Sequence, residues 1–222
     1  MKQTSERLMP AFFILGLLVL WEGTVRIFGI PLYVLPSPVQ VAETLVQELP
    51  VLALHARVTV AEALAGVAIS LVLALALGIL MDCFPMIRQG LYPVLVVTQT
   101  VPMIVLAPIF IIYMGFGAAP KILTVVLMCF FPVAVSFSDG LSQVDAEYVH
   151  LVRSYGAGQW KTYCLVKIPA AVPALLSGLK VAATYSISGA VVGEWIGAQQ
   201  GLGYYLIRVK NNYMLDKVFA CV

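Results

Sequence analysis

Of the 222 residues, 61% are hydrophobic and only 11% charged, with a mean hydropathy of +0.98. A soluble domain of this size carries roughly 25% charged residues, so the composition excludes an aqueous globular protein and specifies an integral membrane chain. A net charge of +2 is too small for a nucleic-acid surface or a polybasic lipid-binding segment, and Cys83, Cys129, Cys164 and Cys221 show neither C-x-x-C spacing nor a histidine cluster, which argues against a zinc site or a disulfide framework.

Lys2 and Arg7 precede an apolar run from Leu8 to Trp21 with no small-x-small cleavage site after it, so the N-terminus reads as an uncleaved anchor rather than a secretory signal. A bilayer core needs about 20 apolar helical residues. The first span, Met9 to Ile30, reaches that length only by including Glu22 and Arg26, which are four apart and suited to pairing on one helix face. Residues 35–50 hold prolines and the carboxylates Glu43 and Glu48. With Val39, Ala42, Leu45 and Val46 at helical spacing, they predict a short amphipathic surface helix opened by Ser37 and Pro38.

A charge-free second span runs from Ala63 to Met81, and Asp82, Arg88 and Gly90 predict a tight polar turn after it. The third span is expected as one helix over 91–114, with Pro102 and Pro108 inside. Proline in lipid is tolerated where protein or water re-satisfies the freed carbonyl, which favours a buried helix lining something. The fourth span, Ile122 to Ser138, is bracketed by Lys121 and Asp139; the fifth runs from about Pro169 to Gly193 and contains Lys180. A mixed, Gly-rich tail follows, and Lys217 to Val222 reads as the opening of a sixth span. Lys180 apart, which lies inside a span, the Lys and Arg residues divide six against six across the membrane, so charge alone assigns no orientation.

Between the fourth and fifth spans lies a polar island, Ser142 to Pro173. Tyr148, Leu151, Val152 and Tyr155 occupy i, i+3, i+4 and i+7 of a helix expected over Asp145–Tyr155, with acids at its start, Arg153 near its end and Gly156 as the stop. Gln159 to Val166 forms a second short helical run. Periodicity alone leaves two readings open: a loop whose stripe packs back onto its own helices, or a knob that docks into a partner.

The island resembles the cytoplasmic loop of bacterial ABC importer permease subunits: E-A-A, three residues, Gly, nine residues, Ile-x-Leu-Pro. From Gly156, nine residues lead to Val166, then Lys167, Ile168 and Pro169, which matches the end of that pattern. The E-A-A positions are His150, Leu151 and Val152, so that half is absent. Four further stretches resemble the nitrate/sulfonate/taurine branch: Gly156-Ala157 followed by Trp160, Leu35 to Pro38, Gly178 to Lys180, and Gly193-Glu194-Trp195 leading to Gly201-Leu202-Gly203. The resemblance covers about residues 35–222, and several independent motifs in the right order make it specific.

It implies an all-α, polytopic type I importer permease fold with five full spans and the start of a sixth. The implied divisions are 1–34 as tail and first span, 35–58 as a periplasmic amphipathic segment, and 59–222 as a transmembrane domain with its coupling loop at 140–168, cut short before its last span. The implied location is the bacterial inner membrane. The implied partners are a cytoplasmic ATPase subunit, a periplasmic or lipid-anchored solute-binding protein, a second permease copy and membrane lipid. Tyr148, Leu151, Val152, Tyr155, Gly156 and Ala157 would form the coupling helix and its stop, seated in the ATPase. The N-terminus and the coupling loop would be cytoplasmic. The subunit itself would be no enzyme and need no cofactor or metal, and no G-x-x-x-x-G-K-[ST] phosphate loop occurs. Run 183–195 looks most like permeases of thiamine-precursor pyrimidines, with nitrate, sulfonate, taurine and riboflavin importers as alternatives.

Several membrane residues carry two readings each. Lys180 either snorkels or pairs near the coupling loop, or contacts cargo. Glu194 either gates the outer mouth or is a surface carboxylate at a helix end. Gln99 and Thr100 form one polar patch, and Thr184, Tyr185, Ser186 and Ser188 another; each either glues helices or lines the pathway. Two other classes fit less well. An intramembrane enzyme lacks G-x-S-x-G and H-E-x-x-H, and an ion-coupled carrier would normally show carboxylates inside the spans, where only Glu22 at one end is found.

Overall fold

A computed structural model describes the backbone of residues 2–222 and side chains from residue 9 onward, so the charges of Lys2 and Arg7 lie outside the described side chains. Helices follow one another without a strand among the described residues: α1 (Lys2–Ile27), α2 (Pro38–Cys83), α3 (Pro85–Thr98), α4 (Met103–Met114), α5 (Ala118–Ser142), α6 (Ala146–Ser154), α7 (Gln159–Thr162), α8 (Ile168–Glu194), α9 (Leu202–Asn211) and α10 (Leu215–Cys221). Between α7 and α8, Tyr163–Lys167 forms a π turn, closed by the Ile168 N–H on the Tyr163 carbonyl. Among the described residues, four helices are long and apolar enough to cross a membrane, or five spans if the bent pair α3–α4 is one. The residues form two compact units, 1–57 with 200–222, and 58–199.

Three expectations are corrected here. The amphipathic segment at 35–50 is not a separate helix, because α2 runs unbroken for 46 residues through Pro50. Its start is as the sequence predicts: Ser37 N–H donates to Gln40 Oε1 (2.9 Å) and Gln40 N–H to Ser37 Oγ (3.3 Å), a reciprocal capping box ahead of Pro38. The polar turn at 82–90 shrinks to Phe84, because Pro85 opens α3 with its fixed φ and the chain stays helical through Gly90. The single helix over 91–114 is two, bent by 102°. Pro102 has no N–H to continue the ladder and biases Val101 away from the helical region; it becomes the N-cap of α4, while Pro108 stays inside.

In the unit of 1–57 and 200–222, Glu22 pairs with Arg26 (2.5 Å) and also accepts from Val39 N–H (3.2 Å). Glu48 binds Lys217 (2.5 Å) and accepts from the Tyr205 hydroxyl (3.2 Å). Burial, followed by the charge and hydrogen bond of Glu48, pushes the Tyr205 phenol up to about 12. Leu52, Tyr205 and Val209 make the small apolar core, and His55 Nδ1 accepts from Gly201 N–H (3.1 Å).

In the unit of 58–199, α5 is the central helix. Val125, Cys129, Val133, Phe137 and Leu141 recur every four residues and are almost wholly buried. That stripe packs against small residues of α2 (Ala63, Gly66, Ala74, Gly78) and of α8 (Ala171, Ala182, Gly189), as expected where lipid offers helices no hydrophobic drive to associate. At Gly178 a Cβ would stand 2.7 Å from the Pro132 carbonyl oxygen, so only glycine permits this approach of α8 to α5.

Candidate functional site

The polar island becomes an elbow built from local signals. Asp145 caps α6, its Oδ1 accepting from Glu147 N–H at 2.9 Å. The helix spans 146–154, one residue shorter at each end than expected, because Asp145 and Tyr155 serve as its caps. Its end is a Schellman stop: Ala157 N–H reaches the Val152 carbonyl (3.3 Å), Gly156 N–H reaches the Arg153 carbonyl (2.9 Å), and Gly156 has φ +81°. Nothing on α6 is buried. Tyr148 is 62% exposed, Leu151 53% and Tyr155 84%, with Val152 half-buried beneath them, so most of the stripe points outward rather than onto the helix bundle. Trp160 on α7 is exposed as well.

The two stems of the elbow are tied through Asp82, Arg88 and Asp139, which the sequence marks only as a turn and a flank. Asp82, at the end of α2, accepts from the Tyr163 hydroxyl and binds Lys167 Nζ at 2.6 Å. Lys167 also lies over the Tyr163 ring, 5.2 Å from its centre, and the Cys83 thiol donates to the Tyr163 hydroxyl at 3.2 Å. On the other stem, Asp139 of α5 binds Arg88 (3.3 Å) and accepts from the Tyr92 hydroxyl (3.1 Å), while Arg88 also donates to Ser142 Oγ (3.1 Å). Partly buried ion pairs with added hydrogen bonds are stronger than exposed ones, so each stem is held at its base while α6 stays uncovered.

At the opposite end of α5 and α8, the structure assembles a buried polar cluster. Lys121, which brackets the fourth span, is not an exposed cation: its Nζ sits 2.9 Å from Glu62 Oε1, and the two side chains are 10% and 7% exposed. Glu194 is not a surface carboxylate either. It is 1% exposed and accepts from the Thr59 hydroxyl at 2.7 Å. Thr59 and Glu62 lie three apart on α2, hence on one face. Neither Thr59 nor Glu62 was expected from the sequence as part of a site. An unmatched carboxylate beside an apolar run and an unmatched lysine opening another were the available signal, since intramembrane charges normally pair.

The remaining candidates separate. Thr100 Oγ1 donates to the Val97 carbonyl, Thr184 Oγ1 to Lys180 and Ser186 Oγ to Ala183, so these hydroxyls are satisfied by their own helices. Ser186 is buried, Ser188 exposed, and Lys180 is exposed on α8 without an ion pair among the described residues. Gln99 and Tyr185, 86 positions apart, meet in one pocket of about 250 Å³ at the α3–α4 bend. No group of three or more metal-ligating side chains occurs among the described residues.

The family model described as binding-protein-dependent transport system inner membrane component matches residues 66–222. The chain is 37% identical over 221 residues to the formylaminopyrimidine transport permease ThiX of Halalkalibacterium halodurans, covering 99% of this chain and 88% of that one. It is 33% identical over 208 residues to the riboflavin transport system permease RibX of Chloroflexus aurantiacus, covering 93% and 78%. To the putative aliphatic sulfonates permease SsuC of Bacillus subtilis it is 30% identical over 216 residues, covering 96% and 76%. The chain thus belongs to the family of binding-protein-dependent inner-membrane transport components, with the type I fold: a multi-pass permease subunit of a bacterial ABC importer, not itself an enzyme, of the kind that works with an ATPase and a solute-binding protein.

Proposed function

We propose that this permease takes a thiamine-precursor pyrimidine from its solute-binding protein and passes it to the cytoplasm, driven by an ATPase whose cleft receives α6. The observation that carries the coupling role is the uncovered Tyr148–Leu151–Tyr155 stripe on a helix whose two stems are tied down at Asp82 and Asp139. A lever needs a free tip and fixed roots, and a contact made only to be solvated would not repay three exposed large side chains. In this reading the loop 140–168 and the N-terminus face the cytoplasm, residues 35–58 lie outside, and two copies of the permease surround the path. The Glu62–Lys121 and Thr59–Glu194 contacts then form part of the outer closure. The pyrimidine cargo is supported by the likeness to a formylaminopyrimidine permease over 99% of the chain; the names of the riboflavin and sulfonate relatives define the alternatives.

The test is reconstitution of the permease with its ATPase and binding protein in proteoliposomes. Formylaminopyrimidine uptake should require ATP and be little inhibited by excess taurine or riboflavin. Replacing Tyr148 and Leu151 together by alanine should abolish co-purification with the ATPase and uptake. Intact assembly and uptake in that variant would remove α6 from the coupling role, and preferential uptake of taurine or riboflavin would replace the cargo.

A further inference from the structure

We infer that the pocket at the α3–α4 bend is a binding station for a neutral, single-ring heteroaromatic cargo, recognised by Gln99 and Tyr185. The inference rests on the importer reading above and narrows it to one site and one chemical class. Three observations converge. The first is location: Pro102 breaks the span, α4 leaves α3 at 102°, and the gap opens against α5 and α8 with Met103, Met128, Phe131 and Pro132 as its walls. Irregular backbone at membrane depth is tolerated where it lines a cavity.

The second is the polar inventory. No charged side chain lines the pocket. Neither the Gln99 amide nor the Tyr185 hydroxyl has a hydrogen-bond partner among the described residues, whereas Thr100, Thr184 and Ser186 nearby are consumed by their own backbones. The set thus offers an amide that both donates and accepts and a phenol that does the same. That matches a ring carrying an amino group and ring nitrogens. A sulfonate or nitrate would lose its hydration with no cation to replace it.

The third is size and surface. About 250 Å³ lies below the roughly 300–1,000 Å³ of sites for drug-sized ligands, which suits one ring and not a fused tricycle. Phe131 and Tyr185 supply aromatic surface, and the Met103 and Met128 thioethers are polarizable groups that favour aromatic contact.

The experiment is equilibrium binding by ligand-observed NMR to the purified full chain in nanodiscs, without ATPase or binding protein, using 4-amino-2-methylpyrimidine, taurine and riboflavin as separate probes. The aminopyrimidine should bind in the wild type. Gln99→Ala and Tyr185→Phe should each weaken it by about three- to tenfold, the loss expected for one hydrogen bond, and Ser177→Ala on the exposed face of α8 should not. Gln99 and Tyr185 are exposed, so both variants should fold, and a wild-type size-exclusion profile is the check on that. Binding of taurine or riboflavin in preference to the aminopyrimidine, wild-type affinity in both variants, or no aminopyrimidine binding would each overturn the assignment. Uptake by the full importer is a separate readout: it can succeed with this station disproved, and the binding result stands if ATP-driven uptake fails.

Discussion

Separating Lys121 from Glu62 gives a sharp test of the buried cluster. In Lys121→Met, the Glu62 carboxylate keeps its 7% exposure but loses the ammonium 2.9 Å away, and its Oε2 already has no hydrogen-bond partner. Removing one member of a buried pair costs about 3–5 kcal/mol, because the other charge is left uncompensated. For a chain of this length that corresponds to a fall in Tm of roughly 6–20 °C by the soluble-domain conversion. Glu62→Gln should cost less, about 1–3 kcal/mol, since the amide oxygen still accepts from Lys121. The double variant, Glu62→Gln with Lys121→Met, removes both charges and should return to within about 1 kcal/mol of the wild type, as buried pairs are often replaceable by neutral groups. Thermal unfolding of the detergent-purified protein, followed by tryptophan fluorescence at fixed detergent concentration, supplies the four corners of the cycle. Strictly additive effects, or a Lys121→Met variant as stable as the wild type, would refute the claim that these two groups depend on each other.

Gly178→Ala should destabilise by about 1–3 kcal/mol through overpacking, because the added Cβ meets backbone at Pro132 rather than a movable side chain; unfolding of the purified variant reads this. Gly156→Ala should raise the cost of the α6 stop by about 1–2 kcal/mol for a left-handed residue, although no atom lies within 4 Å of the new Cβ. Co-purification with the ATPase should fall in that variant and hold in Gly156→Asn, and equal behaviour of the two would disprove a conformational role. Asp82→Asn should free Tyr163 and Lys167 and speed tryptic cleavage at Lys161 and Lys167 about tenfold, the effect of losing one charged hydrogen bond. Unchanged cleavage would show that the stem is held elsewhere.

The features legible in the sequence were those set by neighbours along the chain. The α6 stripe, its acidic start and its glycine stop are all encoded within a dozen residues, and the elbow followed from them. Length and apolarity likewise located α1, α5 and α8. The failures have one cause each. Pro50 and the carboxylates of 35–50 resemble a terminator, yet α2 passes through them, because a proline removes one ladder bond and does not forbid the turns on either side. Pro102 breaks its helix and Pro108 does not, a difference that local propensity cannot rank. Glu62 and Lys121 are 59 positions apart, and Asp82 and Lys167 are 85 apart. Such partners are chosen by packing, so the buried cluster and the stem ties were invisible. At the pocket, Gln99 and Tyr185 were both singled out, but only folding separates them from the threonines and serines beside them, whose hydroxyls turn back onto the helix.

The π turn at Tyr163–Lys167 sets the phase of the elbow. An i→i+5 closure inserts one extra residue into the turn that carries α8 back to α7. Each residue turns an α-helix by about 100°, so deleting one residue here and restoring the ordinary ladder would swing everything upstream by roughly that angle about the axis of α8. The tyrosine–leucine face of α6 would keep its chemistry and its exposure yet aim somewhere else. The direction in which this permease presents its tip is therefore written in a single supernumerary residue, several turns away from the surface it steers.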